Sequence, residues 1–291
     1  MITRQNPLAP LRRTALACAA SAPIALAALV AHSSACVPPG NSTPSDAGAS
    51  QSPATPTAPV SRPSINVMTT PFEDNFDRTG AAAFDAAAFL PSLESGAGEG
   101  SVPALPSLLG PAWQQAGTNV WTVENGKVCG SKAHNHGLWL QRTLPVNARI
   151  EFDAISSDQD GDIKCEVWGD GRSAATGLSY TNATSYVVIF GGWHNTLHVV
   201  ARLNEHGTDR KEIKIDKSSD DPAEQPVTAG QVYHFKIERT DGKTIRWSVN
   251  NTEYIAYTDP APLTGMGHDH FGFNDWEAPV CFDNVKVTPL P

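Results

Sequence analysis

Tyr186–His206 reads YVVIFGGWHNTLHVVARLNEH, and its periodicity decides the fold class. Two β-branched runs, Tyr186–Phe190 and Leu197–Leu203, flank a Gly191-Gly192-Trp193-His194-Asn195 turn. With side chains alternating along a strand, Leu197, Val199, Ala201 and Leu203 share one face, expected to be buried. His198, Arg202, Asn204 and His206 share the other, which only Val200 interrupts. The stretch reads as a hairpin with one apolar and one polar face and Trp193 at its tip. Imidazole, guanidinium and amide groups beside an indole suit a sugar-binding surface.

Working outward, the same pattern recurs. Strand candidates are Phe72–Arg78, Val120–Glu124, His136–Thr143, Ala148–Ile155, Asp162–Trp168, Lys211–Asp216, Val232–Arg239, Thr244–Val249, Glu253–Thr258, Phe271–Asn274 and Phe282–Thr288. Turn residues bound most of them, and Asn125-Gly126 and Asp241-Gly242 are hairpin signals. No helical period runs long enough to cover a sheet. The expected fold is all-β, a two-sheet antiparallel β-sandwich over residues 70–291. Residues 79–111, with AAAFDAAAFLPSL and a Gly/Ser/Pro run, read as an insertion.

The first 36 residues have a different character. Arg4, Arg12 and Arg13 precede the Ala/Leu-rich run Thr14–Val30, and small residues follow up to Cys36. That is the layout of an export signal. Ala35-Cys36 is similar to a lipoprotein processing site, with Ser33 where Leu is usual, and makes Cys36 the expected lipidation site. Residues 37–69, rich in Pro, Ser and Thr, lack the apolar surface to offset ordering entropy and read as a disordered tether. The expected location is outside the cytoplasm, as a membrane-anchored lipoprotein of the cell surface or periplasm, or else secreted.

Without the three arginines of the first 36 residues, 18 basic residues face 30 acidic ones. Phosphate binding needs a basic surface, so nucleic acid is not an expected partner. Cys129, Cys165 and Cys281 permit one bridge at most, and three buried thiols fit as well.

Three strings then carry a resemblance: Phe72-Glu73-Asp74-Asn75-Phe76-Asp77-Arg78, the Trp113…Trp121-Thr122-Val123-Glu124-Asn125-Gly126 stretch, and Phe282-Asp283-Asn284-Val285-Lys286-Val287. In this order and at these distances the chain resembles the concanavalin A-like lectin/glucanase superfamily, as a laminin-G-like jelly roll. The resemblance implies pairing of the first and last strands. It also implies a structural calcium near their seam, held by side chains at the positions of Asn75 and Asp283, with Asp74 as a neighbouring candidate.

The glucanase branch implies two catalytic carboxylates on one strand. The nearest string, Glu151-Phe152-Asp153-Ala154-Ile155-Ser156, has Ser where the second Glu belongs. Glu151 and Asp153 then read as an exposed strand face. Lyase chemistry needs a base and charge-neutralising groups, for which His198, Arg202, Glu205 and His270 are the candidate catalytic residues. His268-Asp269-His270 also suggests a metal site.

The leading expectation is recognition of a polysaccharide or glycan. Its expected ligand-binding residues are Trp139, Trp168, Trp193, His194, Asn195, Arg202, Glu205 and Trp276, since indole rings stack on sugar C–H faces. The alternatives are a polysaccharide lyase or glycoside hydrolase on the same face, and an adhesion or envelope-scaffold module. The latter would show an exposed apolar patch instead of a polar groove.

Overall fold

The computed structural model describes residues 62–78 and 108–291. The expected signal, Cys36, most of the tether and most of the insertion lie outside these residues. No helix among the described residues is long and apolar enough to cross a membrane.

Fifteen strands lie among the described residues: β1 (Phe72–Asp74), β2 (Trp113–Gln115), β3 (Thr122–Glu124), β4 (Lys127–Gly130), β5 (Leu138–Leu140), β6 (Ala148–Ser156), β7 (Ile163–Gly169), β8 (Tyr186–Gly191), β9 (Leu197–Arg202), β10 (Lys211–Lys214), β11 (Val232–Arg239), β12 (Thr244–Val249), β13 (Thr252–Thr258), β14 (His270–Asn274) and β15 (Val280–Pro289). One sheet runs β13-β12-β11-β6-β15-β4-β3, with β1 also paired to β15. The other runs β10-β9-β8-β7-β14-β5-β2. Every pairing between these strands is antiparallel, and the architecture is the jelly-roll β-sandwich.

The first and last strands pair as expected, Phe72 opposite Val287. Asn125-Gly126 turns β3 into β4 with both residues at positive φ (51° and 72°), which matches the twist a tight hairpin requires. Strands β2 and β4 escaped the sequence reading, being short and interrupted by Gln, Lys and Gly.

Between the sheets lies an aromatic core. Phe152 stacks on Phe235 and meets Phe271, Phe273 and Phe282 edge-on or tilted, and Phe273 stacks on Phe282. Cys129 and Cys281 sit directly opposite on β4 and β15 and are bridged, while Cys165 is a free buried thiol. Burial and the neighbouring Glu166 push the Cys165 thiol well above its ordinary value. It is expected to resist alkylation until the protein unfolds, which a native-against-denatured thiol titration would show.

The facing expected of β9 is reversed. His198 and Val200 point into the inter-sheet core, with His198 stacked 4.6 Å from Phe190. Val199 and Ala201 face outward, yet they are buried in a second cluster with Val187, Ile189, Tyr180 and Ala183. The segment between β7 and β8 covers this outer face, so both faces of the strand lie in apolar surroundings. Alternation cannot tell a core from a covered outer face.

Trp139 and Trp168 are also fully buried. Trp139 lies on the outer face beneath the same covering segment, its indole N–H donating to the Ser173 carbonyl at 2.9 Å. Its ring needs glycine at 169 and 272, where a Cβ would come within 2.5 and 2.8 Å of it. Trp168 has φ 54° at an irregularity in the β7–β14 pairing, and joins the main core. There it stacks 4.0 Å from the Arg239 guanidinium. Neither ring presents a face to a ligand.

Candidate functional site

A cleft of about 520 Å³ opens at one end of the second sheet, within the range of small-ligand sites. Asp158 and Asp160 enter it from the β6–β7 connection, and Asp162 and Lys164 from the start of β7. The turn after β8 supplies Trp193 and His194, the chain after β9 supplies Glu205 and His206, and the β14–β15 connection supplies Trp276 and Glu277. Leu178, 85% exposed, stands at its rim.

The turn carrying Trp193 is held in an uncommon conformation. Trp193, His194 and Asn195 all have left-handed backbone, with φ of 51°, 56° and 59°. Only Asn tolerates this readily, and each of the others costs about 1 kcal/mol. Asn195 provides the compensation. Its Oδ1 accepts from the Val227 N–H at 2.9 Å, and its Nδ2 donates to the carbonyls of Val227 and Gln159 at 2.7 and 3.0 Å. Strain held by such a clamp fixes where Trp193 points. Asn195→Ala is expected to lose about 2 kcal/mol, because the buried Val227 groups lose their partners. Urea unfolding of the variant checks this.

Trp193 is half-buried, with the Arg210 guanidinium 4.8 Å from its ring and His206 against its edge. Trp276, also half-buried, packs on His134 with centroids 4.8 Å apart. Both rings still line the cleft.

Behind the cleft is a buried polar cluster. Lys164 Nζ donates to Asn135 Oδ1 at 2.8 Å and to Glu205 Oε2 at 3.2 Å. Burial works to lower its pKa, but the carboxylates of Asp162, Glu205 and Asp275 outweigh this and hold it above the ordinary lysine value. One residue pair along the strand, Glu166 accepts from Tyr180 Oη at 2.9 Å, Ser185 Oγ at 2.5 Å and Asn274 Nδ2 at 2.6 Å. Even so, burial raises its pKa to about 7. Asp275 is raised to about 7 by burial and by the nearby Asp162. Among the described residues Asp275 Oδ1 and Asn135 Nδ2 are buried without a hydrogen-bond partner, an acceptor and a donor that an internal water would satisfy.

These groups make stability depend on pH in a definite sense. A carboxyl with a raised folded pKa binds its proton more tightly in the native state, so Glu166 and Asp275 stabilise the fold as pH falls from about 7 towards their ordinary values. His198 acts oppositely. Its Nδ1 accepts from the Gly191 N–H and its Nε2 faces the Gln225 carbonyl, so the ring is neutral, and burial lowers its pKa to about 4. Two raised carboxyls outweigh one lowered imidazole between pH 6.5 and 4.5, so the native state is expected to gain stability as the pH falls through that window. The urea midpoint is expected to rise over that interval, and Glu166→Gln with Asp275→Asn to abolish the rise.

Of the expected ligand-binding residues, Trp193, His194, Glu205 and Trp276 line the cleft, whereas Trp139, Trp168, Asn195 and Arg202 do not. The candidate catalytic residues are not gathered either. His198 is between the sheets, and Arg202 bonds Asp259 at 2.8 Å and the Ala261 carbonyl. His270 bonds its neighbour Asp269 at 2.7 Å, and only Glu205 lines the cleft. Glu151 and Asp153 lie on β6 in the opposite sheet, Asp153 paired with His234 at 2.8 Å.

Asn75 donates to Asp77, and Asp283 is neutralised by Lys127 at 2.9 Å. No group of three or more His, Cys, Asp or Glu side chains among the described residues is arranged to hold a metal. Asp158, Asp160 and Asp162, which also line the cleft, are not among the expected site residues; their signal in the sequence is the alternation of three acids over Asp158-Gln159-Asp160-Gly161-Asp162.

No protein-family model matches the chain, and no curated protein matches it. Among solved structures the chain is similar to the carbohydrate binding module CBM66 from Bacillus subtilis, at 16% identity over 60% of this chain and 94% of that one, with a TM-score of 0.44. It is similar to a β-glucanase from Bacillus licheniformis at 11% identity, over 75% and 98% of the two chains, with a TM-score of 0.45. A prokaryotic β-1,3-1,4-glucanase from a mouse hindgut metagenome is similar at 8% identity over 76% and 99%, with a TM-score of 0.44. At identities this low the likeness concerns the sandwich alone, and the activities of those proteins remain their own.

Proposed function

We propose that the domain binds a carbohydrate in the cleft between Trp193 and Trp276. The observation that carries this reading is a pair of half-buried indole rings lining one polar cleft, with Leu178 exposed at its rim. Sugar rings offer apolar C–H faces to such rings and hydroxyls to the surrounding carboxylates. Binding is favoured over hydrolysis because Glu166 and Asp275, the carboxyls whose pKa values would suit acid catalysis, are fully buried. In this reading export and lipidation at Cys36 would place the cleft outside the cell on its tether, a proposal that rests on sequence and that Cys36→Ser would test by loss of membrane association.

The test is retention on a panel of insoluble and gel-embedded polysaccharides, with product release followed in the same samples. Retention without products is expected, weakened about tenfold in Trp276→Ala, the equivalent of one lost stacking contact. Release of reducing ends or unsaturated products would make the protein an enzyme and overturn the reading. Absence of retention on every polymer would do the same.

A further inference from the structure

The cleft carries a charge pattern that narrows its ligand, and we propose that it selects a protonated amino sugar, a glucosamine-type residue with a free amine. This rests on the carbohydrate reading above. Five carboxylates line the cleft, from Asp158, Asp160, Asp162, Glu205 and Glu277, against the ammonium groups of Lys132 and Lys164 and the imidazoles of His194 and His206. Lys164 is spent on Glu205 at 3.2 Å, where His206 also approaches at 3.2 Å, Asp160 meets His194 at 2.6 Å, and Glu277 faces His134 at 3.5 Å. Among the described residues Asp158 and Asp162 form no ion pair. Asp162 instead accepts from the Trp276 N–H at 3.3 Å, which ties an acidic side chain to the backbone of one of the two aromatic residues.

An anionic ligand such as a uronate or a sulfated sugar would enter against this charge, and a like-charge encounter is disfavoured. A metal ion would need the carboxylates to converge, and no group of three among the described residues does so. Carboxylates distributed along a wall fit an extended ligand that carries its positive charge on a ring substituent. The indoles reinforce this. Indole faces attract cations, and Trp193 already carries one in the Arg210 guanidinium 4.8 Å from its ring. An amine on a pyranose lets one ligand use both features, its C–H face on an indole and its ammonium against the acids. A neutral or N-acetylated sugar would use only the first.

The experiment compares soluble glucosamine oligomers with their N-acetylated counterparts, a neutral glucan and a polygalacturonate, by titration against the full-length chain at mildly acidic pH. The amine form is expected to bind at least about tenfold more tightly than the acetylated form, a ratio equal to one charge contact of about 1.4 kcal/mol. In Asp158→Asn/Asp160→Asn the ratio is expected to fall to about one. Both residues are exposed, and an unchanged urea midpoint would show that the fold survives loss of the Asp160–His194 contact. Raised salt should shrink the ratio in the parent and not in the variant.

Equal binding of the two forms, or tighter binding of the acetylated, neutral or uronate polymer, would overturn the amino-sugar inference. If that binding weakened in Trp276→Ala, the carbohydrate reading would stand. No binding to any of the four would overturn both.

Discussion

Replacing Cys129 and Cys281 together by alanine is expected to lower the unfolding free energy by about 5 kcal/mol. The two lie 152 residues apart in sequence but directly opposite on adjacent strands. A cross-link closing so long a loop removes most of the entropy that the unfolded chain would otherwise gain, and the loop-closure relation gives about 5 kcal/mol at this length. The bridge also joins β4 to β15, the strand on which β1 and β6 pair, so it fastens the margin of the first sheet to its middle. Urea midpoints of the parent and the double variant measure the loss. Dithiothreitol should reproduce it in the parent and do nothing to the variant. Coincident curves for parent and variant, both without reductant, would mean that the bridge contributes nothing.

Most sheet strands were legible because alternation, or enrichment in β-branched and aromatic residues, between turn residues is a local signal; among the described residues only β2 and β4 were missed. The orientation of β9 was not legible. Its outer face is covered by the segment that holds Tyr180 and Ala183, so Leu197, Val199 and Ala201 looked like the core side while His198 and Val200 were the core side in fact. Val200, the single apolar residue on the supposed polar face, was the sign of it. Trp168 is buried for another reason. Its left-handed backbone at an irregularity in strand pairing sends the ring inward, and no local sequence preference announces such a residue. The cleft was half legible. Gly191–Asn195 was recognisable as a turn that displays an indole, but the acidic wall comes from a connection that looked like an ordinary hydrophilic loop. Only the fold brings Asp158 and Asp162 beside Trp193 and Trp276, which lie far along the chain.

Lys164→Met is expected to cost 3 to 5 kcal/mol, about the penalty for leaving a buried ion pair with one member. Lys164 is 3% exposed and Glu205 6%. Without the ammonium, Glu205 Oε2 loses its donor at 3.2 Å, Asn135 Oδ1 loses its donor at 2.8 Å, and Asp162 and Asp275 lose the cation that offsets their repulsion. Glu205 Oε1 still accepts from the Tyr180 N–H at 3.2 Å, so the change is concentrated on one oxygen and its surroundings. Adding Glu205→Gln removes the uncompensated charge. The double variant Lys164→Met/Glu205→Gln should then recover at least about 2 kcal/mol relative to the sum of the two single losses. A double-mutant cycle read by urea unfolding at neutral pH supplies that coupling. Single variants each within about 0.5 kcal/mol of the parent would mean that Lys164 is hydrated in place and holds nothing. The cycle also bears on the cleft. Lys164 and Glu205 both line it, but their charges are spent on each other, so the double variant should keep the ligand preference set by Asp158 and Asp160 while the stability changes. Loss of that preference in a stably folded double variant would instead move the charge recognition from the exposed acids to the buried pair behind them.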